Sequence, residues 1–185
     1  MTPRHATLLE QLRGYAPYDA LEATHHRDIV NLLTRGGDEF SRAHFEPGHI
    51  TASLFIVDPP MERLLLHHHR RLNRWLQMGG HVERDEHPAE AALREGREES
   101  GLADLELVAN AIFDLDVHVI PAAKGEPEHR HFDVRYLART RTPDAIAIDP
   151  NESNELAWVP LGEAEARMNE AASSRVIAKI VAMLG

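Results

Sequence analysis

The stretch GHVERDEHPAEAALREGREESGL, residues 80–102, contains one helix whose edges differ sharply in chemistry. Pro88 presets a first helical turn, and Gly101 sits where helices commonly end in a left-handed residue, so a helix is expected over Pro88 to Ser100. On a wheel of about 100° per residue, Ala89, Ala92, Leu93, Gly96 and Ser100 form a small-residue and apolar stripe, which should face a core. Glu95, Glu98 and Glu99 gather beside it within an arc of about 100°, while Arg94 and Arg97 occupy the other flank.

That acidic edge works against the helix. Like charges four apart, as in Glu95 and Glu99, cost roughly 0.2–0.5 kcal/mol, and negative charge in the C-terminal half costs about 0.3–1 kcal/mol. Two compensations are open: Arg94 and Arg97 neutralise a solvated face, or a hard divalent cation takes the carboxylates. Mg²⁺ or Mn²⁺ would accept part of its oxygen shell from the glutamates and keep positions for substrate phosphates, which suits phosphate-ester or pyrophosphate chemistry.

Outward from this helix, residues 6–35 read as two helices, with Leu8, Leu9 and Leu12 on one face and Ile29, Val30, Leu32 and Leu33 on the next, stopped by Gly36-Gly37. They cover one side of the core or act as a substrate lid. ITASLFIV, the Asp58-Pro59-Pro60 turn and RLLLH read as a hairpin. Trp75 to Met78 is a short extended piece ending at Gly79-Gly80. Further strands are expected at Leu105 to Val119, His131 to Ala138, Ala145 to Ile148 and Leu156 to Pro160. Helices are expected at Leu161 to Met168 and Ser174 to Leu184, and a mobile loop at Pro121 to Pro127. This pattern suggests an α/β or α+β sandwich, with residues 1–45 as a helical extension packed on a domain of 46–185.

The segment Gly80 to Leu102 resembles the Nudix box, G-x5-E-x7-R-E-U-x-E-E-x-G-U with U aliphatic. Gly80, Glu86, Arg94, Glu95, Glu98, Glu99, Gly101 and Leu102 all fall in register, and Gly96 departs by standing at the first U. A glycine there costs about 0.8–1.0 kcal/mol against alanine, which predicts local softness or a close backbone approach. The resemblance implies a Nudix hydrolase: an α/β/α sandwich with a mixed sheet that uses Mg²⁺ or Mn²⁺ to hydrolyse a nucleoside diphosphate linked to another moiety. It places metal ligands on Glu95, Glu98 and Glu99, with Glu86 near the metal, Arg94 orienting the carboxylates, and the Gly79 carbonyl as a further ligand. A box glutamate, or Glu152 or Glu155 from the loop NESNELAWVP, would serve as general base.

In HRHFDVR, alternation puts His129, His131, Asp133 and Arg135 on one strand face and Phe132 and Val134 on the other. Asp116 and His118 would project similarly from a paired strand. The polar face reads as substrate recognition, with Arg135 on phosphate or carboxylate, or as an exposed surface. In His67-His68-His69-Arg70-Arg71, His67 and His69 share a face, and Arg70, Arg71 and Arg74 offer a basic rim for polyphosphate. Trp75 reads as a core aromatic or a base-stacking platform.

The 185 residues carry 30 Asp and Glu against 20 Lys and Arg, a formal charge of −10 that disfavours stable nucleic-acid binding. Thirteen histidines make that charge sensitive to pH, since protonating all of them would give +3. The absence of cysteine excludes disulfides, thiolate metal sites and Cys nucleophiles. With no signal-peptide core and no apolar run of membrane-spanning length, a cytoplasmic protein acting on a small phosphorylated molecule is expected, with the N-terminal helices available to a homodimer. Two rival functions remain: a catalytically silent ligand sensor of the same fold, and a transition-metal binder using His118, His129 and His131.

Overall fold

Every residue from Gly48 to Val57 is buried, as expected for a strand covered on both faces. In the computed structural model, which describes residues 2–123 and 125–184, this strand, β1 (Gly48–Val57), is central to a mixed sheet of eight strands. The others are β2 (Arg63–His69), β3 (Arg74–Leu76), β4 (Met78–His81), β5 (Glu106–Leu107), β6 (Asp114–Ile120), β7 (His129–Arg139) and β8 (Ser153–Pro160). β1 runs parallel to β7 from Gly48 opposite Arg130 to Val57 opposite Arg139. On its other side it meets β4 through Thr51 to Leu54 and β2 through Ile56 and Val57, both antiparallel, so the sheet forks. β6 and β5 follow one another along the outer side of β7, and β8 pairs with β2.

Helices α1 (Pro3–Arg13), α2 (Ala20–Arg35) and α3 (Pro88–Ser100) lie on the face formed by Ile50, Ala52, Leu54 and Ile56. Leu8, Leu12, Ile29 and Leu33 are buried in that same core. The opposite face carries Phe55 and Val57 against α4 (Leu161–Met168) and α5 (Ser173–Ala182), through Met168, Val176 and Ile180. This is the α/β/α sandwich expected. Asp19 caps α2 by accepting the Glu22 N–H at 2.7 Å, worth about 1 kcal/mol, and Gly36 ends that helix at φ 75°. Glu22 is buried within α2, and its carboxylate takes Lys179 of α5 at 2.5 Å and the Tyr15 hydroxyl, tying the N-terminal helices to the C-terminal one.

Two strand expectations are corrected. The run Leu105 to Val119 breaks into β5 and β6, and each half pairs with a different part of β7. Ala145 to Ile148 is not a strand: Pro143–Ala145 form a short 3-10 turn, and the Ala147 N–H donates to the Ser100 carbonyl at 2.8 Å. Within 121–127, Ala123 and Glu126 form an isolated antiparallel bridge, and Lys124 lies outside the described residues.

Candidate active site

α3 begins with a capping box in which His87 accepts the Ala89 N–H and Glu90 accepts the His87 N–H at 2.8 Å. Gly101 closes it at φ 74°. The buried arc comprises Ala91, Ala92, Gly96, Glu99 and Ser100, while Leu93 is half-buried. The helix is therefore rolled toward its acidic edge relative to the expected stripe. Gly96 permits the close approach: a Cβ there would lie 2.4 Å from Leu54 Cδ2.

This roll presses the acidic edge against β4, whose Gly79 and Gly80 are paired with β1 and not in the turn expected. The Gly79 N–H donates to Glu99 Oε2 at 2.8 Å. Arg94 divides its guanidinium among Glu86 (3.0 and 3.1 Å), Glu95 (2.8 Å), Glu98 (3.4 Å) and the His81 carbonyl (3.0 Å). Burial pushes the Glu99 carboxyl up to about 8, opposed by the Gly79 N–H and reinforced by the charges of Glu95, Glu152 and Glu98. Burial also raises Glu95 despite its bond to Arg94. Glu98 is mostly solvent-exposed.

The two glycines of β4 are steric requirements. A Cβ on Gly79 would stand 2.6 Å from Ser53 Oγ and 2.8 Å from the Ala52 carbonyl, and one on Gly80 would stand 2.4 Å from Glu95 Oε1. Gly79→Ala must push β4 off β1 backbone. An expected loss of about 1–3 kcal/mol is checked by the urea midpoint; an unchanged midpoint would contradict the packing.

The acidic edge opens on a cleft of about 1980 Å³. Its floor is the polar half of the sheet face whose other half α4 and α5 cover. Alternation holds as expected: His129, His131, Asp133 and Arg135 of β7 line the cleft, while Phe132, Val134 and Tyr136 enter the core. The β6 register sets His118 opposite His131 and Asp116 opposite Asp133, and both line the cleft. His67 and His69 face it from β2, and His68 packs on Trp75, ring centroids 5.3 Å apart, outside the cleft lining. Burial lowers His67 to about 4, so that imidazole is neutral near pH 7.

Four proposed contacts are placed differently from the expectation. Arg135 is fully enclosed, with its charge matched by Asp133 (2.8 Å), Asp116 (3.1 Å) and Asp114 (3.5 Å), so no free donor fork is offered to a phosphate. Asp133 in turn accepts the Thr51 and Ser53 hydroxyls at 3.0 and 2.8 Å. Arg70 turns away to the Pro150 carbonyl at 2.8 Å, leaving Arg71 and Arg74 on the cleft. Glu155 lies opposite His68 in the β2–β8 pair and does not line the cleft, whereas Glu152 does.

The residues that the reading of the sequence missed are His49, Thr51, Ser53 and His81. GHITAS carries the same two-residue alternation as HRHFDVR, which was the available signal. His49 is buried, its ring 4.8 Å from His131, 5.1 Å from His129 and 5.1 Å from His81. Burial lowers His49 to about 4 and also lowers His131 and His81. His118 is raised, because the Asp116 hydrogen bond and the charges of Asp133 and Asp116 outweigh its burial.

Residues 47–180 match the family model for the NUDIX domain. The chain belongs to the Nudix hydrolase family. With membership comes the reaction class expected from the box, hydrolysis of an acid anhydride. Solved structures share this Nudix fold. A C. elegans Ap4A hydrolase is 23% identical, with 73% of this chain and 96% of that one covered at a TM-score of 0.60. A NUDIX family hydrolase from Clostridium perfringens is 25% identical, with 73% and 97% covered at 0.56. The E. coli dihydroneopterin triphosphate pyrophosphohydrolase is 18% identical, with 72% and 95% covered at 0.57. No curated protein sequence matches significantly. Among the described residues, no helix of this Nudix protein is long and apolar enough to cross a membrane.

Proposed function

We propose that the protein hydrolyses a diphosphate linkage in a nucleoside diphosphate derivative or related organic pyrophosphate, with Mg²⁺ or Mn²⁺ held by Glu95, Glu98, Glu99 and the Gly79 carbonyl. The supporting observation is Glu99: a buried carboxyl crowded by three other glutamates, with a single backbone N–H donating to it. An all-oxygen donor set beside an open cleft suits a hard dication with positions left for phosphate oxygens. When bound, such an ion neutralises charge on the bridging and leaving oxygens and activates water.

The protein groups then divide the remaining work. Arg94, anchored by Glu86 and the His81 carbonyl, fixes the Glu95 and Glu98 side chains in place. Gly79 has its N–H committed to Glu99 and not to Ser53, so the Gly79–Ser53 pair is the non-hydrogen-bonded kind and the Gly79 carbonyl stands clear of the ladder. Glu152, on the cleft and near enough for its charge to raise Glu99, is the better-placed loop carboxylate to accept a proton from the attacking water; Glu155 is outside the cleft. Arg71 and Arg74 supply positive charge at the rim.

The cleft is larger than the roughly 300–1,000 Å³ of ordinary ligand pockets, which favours a substrate with a sizeable moiety beyond its diphosphate. Two structural neighbours, named for Ap4A and for dihydroneopterin triphosphate, are in keeping with an organic polyphosphate substrate. The reading includes residues 1–45 as an extension packed on a catalytic unit of 46–185, and a cytoplasmic setting. A panel of nucleoside, dinucleoside and sugar-nucleotide polyphosphates, each with Mg²⁺, Mn²⁺ or chelator, tests it. Metal-dependent release of a phosphorylated product from at least one member is expected; silence across the panel would favour a ligand sensor.

A further inference from the structure

The end of the cleft away from α3 is built from imidazoles that the hydrolytic chemistry does not use. We infer that His49, His129 and His131 form a second metal site, taking a nitrogen-preferring transition ion such as Zn²⁺, Co²⁺ or Ni²⁺. Each offers one ring nitrogen, and the three atoms lie within 4.8 Å of one another. The parallel register of β1 and β7 makes this meeting, because it sets His49 opposite His131 with His129 two residues along the same face.

The ring orientations match metal ligation. His49 Nδ1 lies 3.3 Å from the His44 carbonyl and His129 Nδ1 lies 2.8 Å from the Pro127 carbonyl. A carbonyl only accepts, so each Nδ1 carries the proton and each Nε2 keeps its lone pair. Metal-binding histidines are typically held in this way, the far ring nitrogen donating to a backbone carbonyl. His49 Nε2 is buried without a hydrogen-bond partner, an arrangement that costs about 1–3 kcal/mol and that a metal ion would relieve. Burial also holds the His49 and His131 imidazoles below the ordinary histidine range, which favours the uncharged form that ligates.

His81 is positioned as a fourth ligand, its ring 5.1 Å from that of His49 and 5.5 Å from that of His131. His118, which the sequence suggested as the third histidine, is drawn instead to Asp116 at 2.9 Å. Rotation about the side-chain torsions has to bring the nitrogens to the ~2.0–2.1 Å that zinc requires. Nitrogen donors select such ions over Mg²⁺, which takes oxygen. The site is separate from the acidic edge. Four residue steps along β1 separate His49 from Ser53, the neighbour of Gly79, a span of about 13 Å along an extended strand.

Tag-free protein, stripped with chelator and titrated with Co²⁺, is expected to bind one equivalent with the strong visible absorption of four-coordinate nitrogen-ligated cobalt, bleached by Zn²⁺. His49→Gln and His131→Gln should each weaken binding at least about tenfold and remove the colour, while Glu98→Gln and Glu99→Gln leave both unchanged. Melting curves with and without Zn²⁺ provide a second readout, since only a protein with the triad intact gains stability from zinc. His131, half-buried, is the variant to rely on if His49→Gln does not fold. Absence of the cobalt spectrum, or its survival in His131→Gln, overturns the site. Loss of the spectrum in Glu98→Gln would assign the ion to the carboxylates and also overturn it. Failure of the diphosphate panel bears on the hydrolase reading alone.

Discussion

Glu99→Gln should yield a folded protein that turns over substrate about 10²–10³-fold more slowly, and that is more stable than the wild type at pH 8 when no metal is present. The two effects have one cause. In the folded, metal-free chain, burial and three neighbouring glutamates hold the Glu99 carboxyl at about 8, against 4.5 for the ordinary group. The unfolded chain therefore releases this proton first, so folding stability is full below about pH 4.5 and declines as pH rises to about 8. Glutamine carries no charge to bury and removes that decline, for a gain of roughly 2–5 kcal/mol above pH 8. Mg²⁺ should flatten the same slope in the wild type by compensating the carboxylate, and it should do nothing for the variant. Chemical denaturation at pH 5 and pH 8, with Mg²⁺ and with chelator, measures all four cases. Equal pH slopes in wild type and variant would remove the basis for the metal site, and undiminished turnover in the variant would remove its catalytic role.

The contrast between what was legible in the chain and what was not follows the range of the interactions. Helix α3 is written locally: the Pro88 start, the His87–Glu90 box and the Gly101 stop each act within a few residues, and its bounds are those expected. The polar face of β7 was legible for the same reason, since a period of two requires only that the segment be extended. The partners on that face were not. His49 and His81 reach the histidine cluster through pairings of β1 with β7 and β4, separated by roughly eighty and thirty residues of chain, and nothing in either segment states the register. The failed strand at Ala145 to Ile148 has suitable residues, but its Ala147 N–H goes to the end of α3, where a strand partner would have to be. Arg70 was grouped with Arg71 and Arg74 as one basic rim, but β2 ends at His69, and the first residue after it is held by a carbonyl some eighty residues along the chain, that of Pro150, which nothing local to the His-Arg run announces.

Arg135 shows the same gap at higher energetic stakes, because its charge was visible and its partners were not. Arg135→Met is expected to cost about 3–5 kcal/mol, lowering the melting temperature by about 10 °C or more, since it leaves Asp114, Asp116 and Asp133 buried with their central cation gone. Arg175 and Lys179 still serve Asp114, and the Thr51 and Ser53 hydroxyls still serve Asp133, so Asp116 with only His118 and His25 beside it bears most of the loss. The pH dependence identifies the cause. In the wild type, Asp114 and Asp116 are held below the ordinary 3.8, chiefly by Arg135 and, at Asp114, the Arg175 hydrogen bonds overcoming burial, so their contribution is present above pH 3.8 and fades in stronger acid. Without Arg135 the aspartates favour protonation, and the deficit of the variant should shrink as pH falls from 7 toward 4. A guanidinium whose main task was to grip phosphate would behave otherwise: its loss would raise KM while leaving the melting temperature and its pH dependence nearly unchanged. Melting curves across pH therefore decide between a cation that builds the cleft floor and one that binds what enters the cleft.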